Sequence, residues 1–381
     1  MRVNMNHAAT SPTKSKEVIE ALTIFLEKNR HQSAGRGEDS MDAMRTILDS
    51  RLTLAEFFGV RNPAHIIFTS GATESLNMAI HGLVREGCHV LATCLEHNAV
   101  ARPLHLLQQQ GYIDVSWLPC DPNGSFDPQE IEKGLRPNTR LLVMTHASNV
   151  LGNILPIANS FSIAKQHGIL TLLDAAQTVG HIEVVPDENT DMIAFTGHKG
   201  LRGLSGIGGL VLNESIAGEL TAWKGGGTGS HSHSLEMPDF LPDKLEPGTP
   251  NSMGIISLKA AAEAITAVGL STIRAREKNL TTHFVDGLRQ LPVTVYGHYA
   301  AECWTPLVSI NIPGMDAGLV ARQLSEEFEI ETRSGLHCSP LAHKSIDTFP
   351  YGTLRFSFGA DTSEQELEYV LDALQKTIAY S

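Results

Sequence analysis

The sequence predicts an α/β protein with a mostly parallel sheet, followed by a smaller α+β region. Three observations carry that reading. Short apolar runs alternate with helical patterns from Ile66 to Leu212, which implies a sheet covered by helices on both faces with ligands at the carboxyl ends of its strands. From about Gly254 the pattern changes to two successive helices and then a mixture of strands and helices. The 381 residues also exceed one average domain, so two are expected: 14–252 as the large domain and 253–381 as the small one, with segment 1–13 packing near the latter.

In chain order, a helix is expected from about Lys14 to Leu26 with Val18, Ile19, Leu22 and Leu26 on one face,. A turn at Gly35-Arg36-Gly37-Glu38-Asp39 leads to a helix from about Met41 to Phe58, which Gly59 closes,. Strand Ile66–Thr69 is broken by Ser70-Gly71 before a helix at Thr73–Ile80. Such a strand, glycine turn and helix offers free backbone N–H groups to a phosphate. Neither GxGxxG nor GxxxxGK[ST] occurs, which moves dinucleotides and the P-loop out of first place,. The alternation continues through strand His89–Thr93, helix Ala99–Gln110, strand Ile113–Trp117, a helix near Pro128–Leu135, strand Leu141–Met144 and helix Ile157–His167. Apolar run Gly168–Leu173 then ends in Asp174, and the pair Met192–Phe195 and Gly209–Leu212 brackets Lys199. Helices Gly254–Val268 and Thr272–Leu291 open the second region. Strands Val293–Tyr296 and Leu307–Ile310, helix Ala317–Phe328, strands Ile330–Thr332 and Thr353–Ser357, and helix Ser363–Ile378 complete it.

Composition narrows the function. Hydrophobic residues make up 42% and charged residues 19%, as in an ordinary soluble globule, and 29 basic against 42 acidic residues give a net charge of −13. That charge repels nucleic acid and anionic membranes, so neither partner is expected. No apolar run approaches the length of a membrane span, and the N-terminus lacks the apolar core of a signal peptide,. The five cysteines (88, 94, 120, 303 and 338) are scattered without a CxxC pair, which points to a reducing cytoplasm.

Two residues point to chemistry. Lys199 lies between apolar strands in the glycine-rich turn Phe195-Thr196-Gly197-His198-Lys199-Gly200. Burial there penalises the ammonium and favours a nucleophilic amine able to form a Schiff base, whereas a lone hairpin lysine is ordinarily solvated. Asp174 lies 25 residues upstream (199 − 174) at the end of an apolar strand. An aspartate in that position is common as a cap, but beside a buried lysine it supplies the carboxylate that keeps a pyridine ring protonated. The pair suits pyridoxal phosphate. The loop from Gly225 to His233 has no hydrophobic period and reads as a linker,. Its two histidines have no further ligands at metal-binding spacing, so no metal site is expected,.

Together, SGATES, EHNAV, SNVLGN, DAAQTVG, FTGHKG, EPGTPN and RSGLHCSPLAHK resemble the motifs of the cysteine desulfurase and selenocysteine lyase family, fold-type I pyridoxal phosphate enzymes of aminotransferase class V. The resemblance covers nearly the whole chain. It implies a fold-type I α/β transferase with a sheet of the seven-stranded type, acting as a homodimer. It also implies that Lys199 carries the cofactor, Asp174 meets the pyridine nitrogen, Gln177 the ring hydroxyl, and His97 stacks on the ring. Ala72, Thr73, Thr196 and His198 would take the phosphate, with Thr249 reaching across from a second subunit, and Asn149 and Arg355 would bind the substrate carboxylate. The family's usual DNAAT is here Asn6-His7-Ala8-Ala9-Thr10, a departure near the substrate that bears on its identity or placement.

Cys338 directs the reaction, because a thiolate is the attacking species and His337, Arg333 and His343 are positioned in sequence to favour it,. The expected activity is desulfuration of L-cysteine to L-alanine through a persulfide on Cys338. Selenocysteine lyase, another C–S lyase, an aminotransferase and a non-catalytic module on the same fold are the alternatives. Cys338 lies five residues from Arg333 (338 − 333), and Pro340 follows closely. An extended chain spans only about 3.5 Å per residue, so the tether is short. The motif resembles the short-loop group, in which a small thiol or a sulfur-acceptor protein relieves the enzyme of its persulfide.

Overall fold

The computed structural model describes residues 1–27, 38–297, 299, 304–359 and 361–379. Gly35 to Gly37 of the expected turn, and Cys303, lie outside the described residues, while Glu38 and Asp39 open a helix. The first elements are β1 (Val3–Asn4), α1 (Lys16–Glu27) and α2 (Glu38–Phe57). Then come β2 (Ile66–Thr69), α3 (Ala72–Leu83), β3 (Cys88–Thr93), α4 (Asn98–Gln109), β4 (Ile113–Leu118) and α5 (Gln129–Gly134). They are followed by β5 (Thr139–Thr145), α6 (Ile157–Gln166), β6 (Leu170–Asp174), β7 (Met192–Thr196) and β8 (Gly208–Leu212).

These strands form one seven-stranded sheet in the order β2-β8-β7-β6-β5-β3-β4. Only β8 runs against the others, pairing antiparallel with β2 and β7. Alternate residues of each strand enter different cores. Leu91, Leu142, Leu173 and Ile193 join Phe58, just after α2, and Phe161 of α6 on one face. Ala92, Val143, Leu172 and Ala194 meet Leu76 of α3 and Leu104 of α4 on the other. Burial on both faces explains why these strands read as continuous apolar runs, and each large buried side chain contributes about 1.5–3 kcal/mol.

The rest of the chain comprises α7 (Ser252–Val268), α8 (Leu270–Leu288), β9 (Thr294–Tyr296), β10 (Leu307–Asn311), α9 (Ala317–Phe328), β11 (Ile330–Glu331) and β12 (Arg333–Gly335). It ends with α10 (Pro340–Ser345), β13 (Thr353–Ser357) and α11 (Glu364–Ala379). A four-stranded sheet, β12-β13-β10-β9, is antiparallel throughout, and β1 pairs in parallel with β11. Helix α7 buries Ile255, Leu258, Ala262 and Ile265 in the same core as Leu142 and Ile193 of the large sheet. The chain then bends by 79° between α7 and α8 at Gly269, whose φ is +85°.

Three local expectations change. Val18 and Phe25 form the buried face of α1, while Ile19 and Leu26 are exposed; a spacing of seven keeps one face, and a shift of one residue turns a side chain by about 100°. The single strand expected at Ile330–Thr332 is two strands that pair with different partners. Helix α10 was not anticipated. No single helix among the described residues is long and apolar enough to cross a membrane.

A close backbone crossing holds the lysine turn. A Cβ on Gly180 would lie 2.3 Å from the carbonyl carbon of Gly200, and Gly180 has φ +93°. Gly180→Ala is therefore expected to lower stability by about 1–3 kcal/mol, measured as a lower thermal midpoint together with weaker retention of any ligand bound at Lys199.

Candidate functional site

Parallel strands leave their carboxyl ends on one edge, and the predicted residues collect there. Ala72 and Thr73 begin α3 just beyond β2, His97 caps α4 after β3, and Asn149 follows β5. Asp174 ends β6, while Thr196 ends β7 and His198 and Lys199 follow it. With Gln177 and Arg355, all of these line one cavity of about 300 Å³. Thr249 does not line it and is exposed on the loop before α7. Cys338 is exposed beside Arg333, which does line it. A larger cavity of about 510 Å³ shares Lys199, but α7 gives it apolar walls such as Ala264 and Val268, and its His181 and Glu277 are already paired at 2.7 Å. The chemically active groups converge in the smaller one.

Burial controls the charges. The Lys199 amine is drawn down to about 8 by loss of solvation; Asp174 opposes this, and Arg355 and Arg333 add to it. Burial raises the Asp174 carboxyl, against a hydrogen bond from Ala176 N and the charge of Lys199. Strands β6 and β7 are neighbours, with Asp174 opposite Ala194, so the pair is fixed by sheet register. The His97 imidazole is pushed down to about 4, mainly by burial, and is neutral at working pH. Its Nδ1 accepts from Ala99 N at 3.0 Å, which leaves the ring proton on Nε2.

At one end of the cavity the site suits an anion. Helix α3 starts without a side-chain cap on Gly71, so its positive end is free. Nearby, Nδ1 of His198 is buried without a partner. At the other end Arg355, almost fully buried, donates to the Asn149 carbonyl at 2.8 Å and to Asn6 Oδ1 at 3.3 Å. Its Nε has no partner, and no carboxylate pairs with it among the described residues. Burial, followed by repulsion from Arg333, lowers it to about 9. Asn6 reaches this point because the N-terminal segment crosses from β11 to β13, where it bridges to Ser357. Gln177 Nε2 donates to Ala8 O at 3.2 Å and ties that segment to the pocket wall.

The Cys338 loop is held more tightly than its sequence suggests. Asn149 grips both flanking residues, donating to His337 O at 2.6 Å and accepting from Ser339 Oγ at 2.7 Å. Asn98 N donates to Cys338 O at 2.7 Å. His337 and Cys338 both adopt left-handed φ, +48° and +60°, a conformation that L-residues sustain only where their surroundings enforce it. Of the three groups expected to favour the thiolate, Arg333 is the one that touches the sulfur, with its guanidinium 3.6 Å from Sγ. Burial drives His337 down to about 2 and His343 to about 4, so both are neutral. Their rings bond to Thr353 and Thr348.

Sequence reasoning missed Glu96. It is fully buried and pushed up to about 8, chiefly by burial, and it accepts from Thr93 Oγ1 at 2.5 Å and Thr145 N at 2.8 Å. It thereby fastens the turn that presents His97 to the end of β5. Its place beside His97 was the available signal, but a carboxylate before a histidine is unremarkable until its burial is known.

Comparison with known proteins adds independent findings. The aminotransferase class-V family profile matches residues 3–370. A cysteine desulfurase, IscS, of Dictyoglomus turgidum is 30% identical over 395 aligned positions, covering 99% of this chain and 94% of that protein. The apo structure of a cysteine desulfurase from Thermococcus onnurineus NA1 superposes with a TM-score of 0.93 at 30% identity, over 100% of this chain and 95% of that one. The Escherichia coli cysteine desulfurase CsdA, in an S-sulfonic acid form, gives a TM-score of 0.89 at 25% identity, with 100% and 95% covered.

The lysine assignment makes a pH prediction. Raising the pH through about 8 deprotonates Lys199, so protein stripped of ligand should capture the aldehyde of added pyridoxal phosphate faster until a plateau above that point. The Asp174 charge holds the amine's pKa up, so Asp174→Asn should move the midpoint lower. Absorbance stopped-flow across the pH range would read both.

Proposed function

The chain belongs to the class-V aminotransferase family, and on that premise we propose that it is a pyridoxal-phosphate-dependent cysteine desulfurase that converts L-cysteine to L-alanine and carries the sulfur on Cys338. The observation that carries this reading is the coincidence, at one cavity, of a buried Lys199–Asp174 pair and a guanidinium-backed cysteine.

The residues fit the cofactor. The uncapped start of α3, with Ala72, Thr73, Thr196 and the unpartnered Nδ1 of His198, would hold its phosphate. Asp174 would hold a proton at the ring nitrogen, Gln177 would meet the ring hydroxyl, and neutral His97 would pack on the ring. When bound, pyridoxal phosphate supplies an aldehyde for Lys199 and an electron sink for the substrate Cα.

The remaining chemistry belongs to the chain. Arg355, buried and without a carboxylate partner among the described residues, would bind the substrate carboxylate, and Asn149 has one amide N–H left to assist. As a neutral amine, Lys199 Nζ takes the proton from Cα. Cys338 Sγ attacks the substrate sulfur; the new S–S bond forms as the C–S bond breaks, and a proton returned to the carbon gives alanine. Arg333 supports the anionic sulfur before and after transfer.

Thr249 lies outside the pocket of its own protomer, which supports a homodimer in which it reaches the partner's phosphate site. The exposed Trp223, Leu235 and Phe240 in the same region support the same reading. The free cysteines among the described residues accord with a cytoplasmic protein,. The tether supports assignment to the short-loop group: β12 ends at Gly335, three residues before Cys338 (338 − 335), and α10 begins at Pro340. A sulfur held so closely needs an acceptor that comes to it, either a small thiol or a dedicated protein.

Incubating the purified protein with L-cysteine and assaying alanine, sulfide and protein-bound persulfide together tests the proposal; alanine without persulfide would reassign it as a lyase. Cys338→Ser should still bind the cofactor and L-cysteine, seen as an absorbance change, but form no persulfide, because a serine hydroxyl stays protonated at neutral pH. In the wild type, pre-steady-state alanine should appear as about one rapid equivalent per site, followed by a slow phase that a reducing thiol accelerates. A linear course indifferent to acceptor would refute the short-loop account.

A further inference from the structure

Cys94 and Cys120 take no part in the reaction described above, yet their sulfurs lie 3.3 Å apart and both are free thiols. Cys94 directly follows β3, and Cys120 lies two residues beyond β4, the adjacent parallel strand. The backbone fixes this juxtaposition, since Cys94 N donates to Leu118 O at 2.8 Å. The pair sits between two parts of the active site. His97 follows Cys94 by three positions (97 − 94). Cys94 and Cys120 also pack in the same apolar cluster as Ala342 and Ile346, in and beside the helix just after Cys338.

We propose that Cys94 and Cys120 form an oxidisable dithiol site that takes a small peroxide and closes to a reversible disulfide, displacing His97 and weakening amino acid binding. Only a small oxidant suits the access, because Cys94 is 8% exposed and Cys120 is half-buried. The shared hydrogen bond with Cys120 draws the Cys94 thiol down, against burial, which marks Cys94 as the attacking sulfur of the pair.

In the first step Cys94 Sγ attacks one peroxide oxygen; the S–O bond forms, the O–O bond breaks, and the departing hydroxide takes a proton to leave as water. Cys120 Sγ then attacks the sulfenic sulfur; the S–S bond forms, the S–O bond breaks, and a second water leaves with the Cys120 proton. Two thiols and one hydrogen peroxide become one disulfide and two waters, the sulfurs losing the two electrons that the peroxide gains. Closing from 3.3 Å to the roughly 2.05 Å of a disulfide requires about 1.2 Å of movement. The strand ends are pinned by the sheet, so the movement passes into the Cys94–His97 turn and the end of α10.

The effect on amino acid binding rests on the proposed desulfurase reading; the thiol chemistry does not. Because Cys338 is exposed and itself oxidisable, the experiment uses cofactor-loaded Cys338→Ser treated with equimolar hydrogen peroxide. Peptide mapping without reduction should find the Cys94 and Cys120 peptides linked and two hydrogens lighter, and dithiothreitol should restore both thiols. Titration with L-alanine, followed by cofactor absorbance, should show affinity roughly tenfold weaker when oxidised, the scale of an ångström-level misplacement, with recovery on reduction. Adding Cys120→Ser should abolish both the link and the affinity change. Thiols that stay reduced, or a Cys94 that proceeds to sulfinic acid unlinked in the presence of Cys120, would overturn the site. A linked pair with unchanged L-alanine affinity would overturn its hold on His97. Wild-type protein that makes no alanine from L-cysteine would sink the desulfurase reading while leaving the disulfide result intact.

Discussion

An amine and a carboxylate share one poorly solvated pocket, and much of the structure serves to keep them there. Burial alone would neutralise both Lys199 and Asp174; each charge partly restores the other. That balance requires a fixed separation, which flexible loops do not provide. Adjacent strands β6 and β7 provide it through their register, and the crossing of Gly180 against Gly200 holds the turn that carries the lysine. Two arginines at the other end add positive potential without counter-ions among the described residues, so an anionic substrate enters a site already prepared for its charge.

Placement of the cysteine obeys a different logic. The lysine is fixed by a sheet, whereas Cys338 is fixed by side chains and backbone from three other segments: Asn149 at both flanks, Asn98 at its carbonyl and Arg333 at its sulfur. Two successive left-handed residues show that this grip overrides local preference,. A reactive loop built this way presents its sulfur in one orientation without needing to bury it.

What was legible in the sequence follows from the same physics. Strands buried on both faces announce themselves as apolar runs, so the large sheet and the residues at its edge, from Thr73 to Lys199, could be read directly. Pairings that depend on distant partners could not. The split between β11 and β12 depends on β1 and β13, and a two-residue strand such as β1 leaves no periodic signal. The apolar face of α1 was misread because Phe25, not Leu26, continues the face of Val18. His337 and His343 look like activating neighbours of Cys338 in sequence, yet only their burial reveals them as neutral. Buried Glu96 was equally invisible, since its role lies in the two strand ends it bonds, at Thr93 and Thr145, and not in any motif.

The strand order also bears on how the chain emerges and collapses. The first strand of the large sheet, β2, lies at its edge and, among the described residues, pairs with β8 alone, which begins 142 residues later (208 − 66). The N-terminal β1 waits longer still, for β11, which starts at residue 330. On a ribosome, therefore, the apolar Ile66–Thr69 segment leaves the exit tunnel long before its hydrogen-bonding edge can be covered. Such sequence-distant pairing slows folding and leaves an adhesive strand exposed in the meantime. Amino-terminal fragments that end before β8 should therefore be aggregation-prone even though they contain most of the sheet.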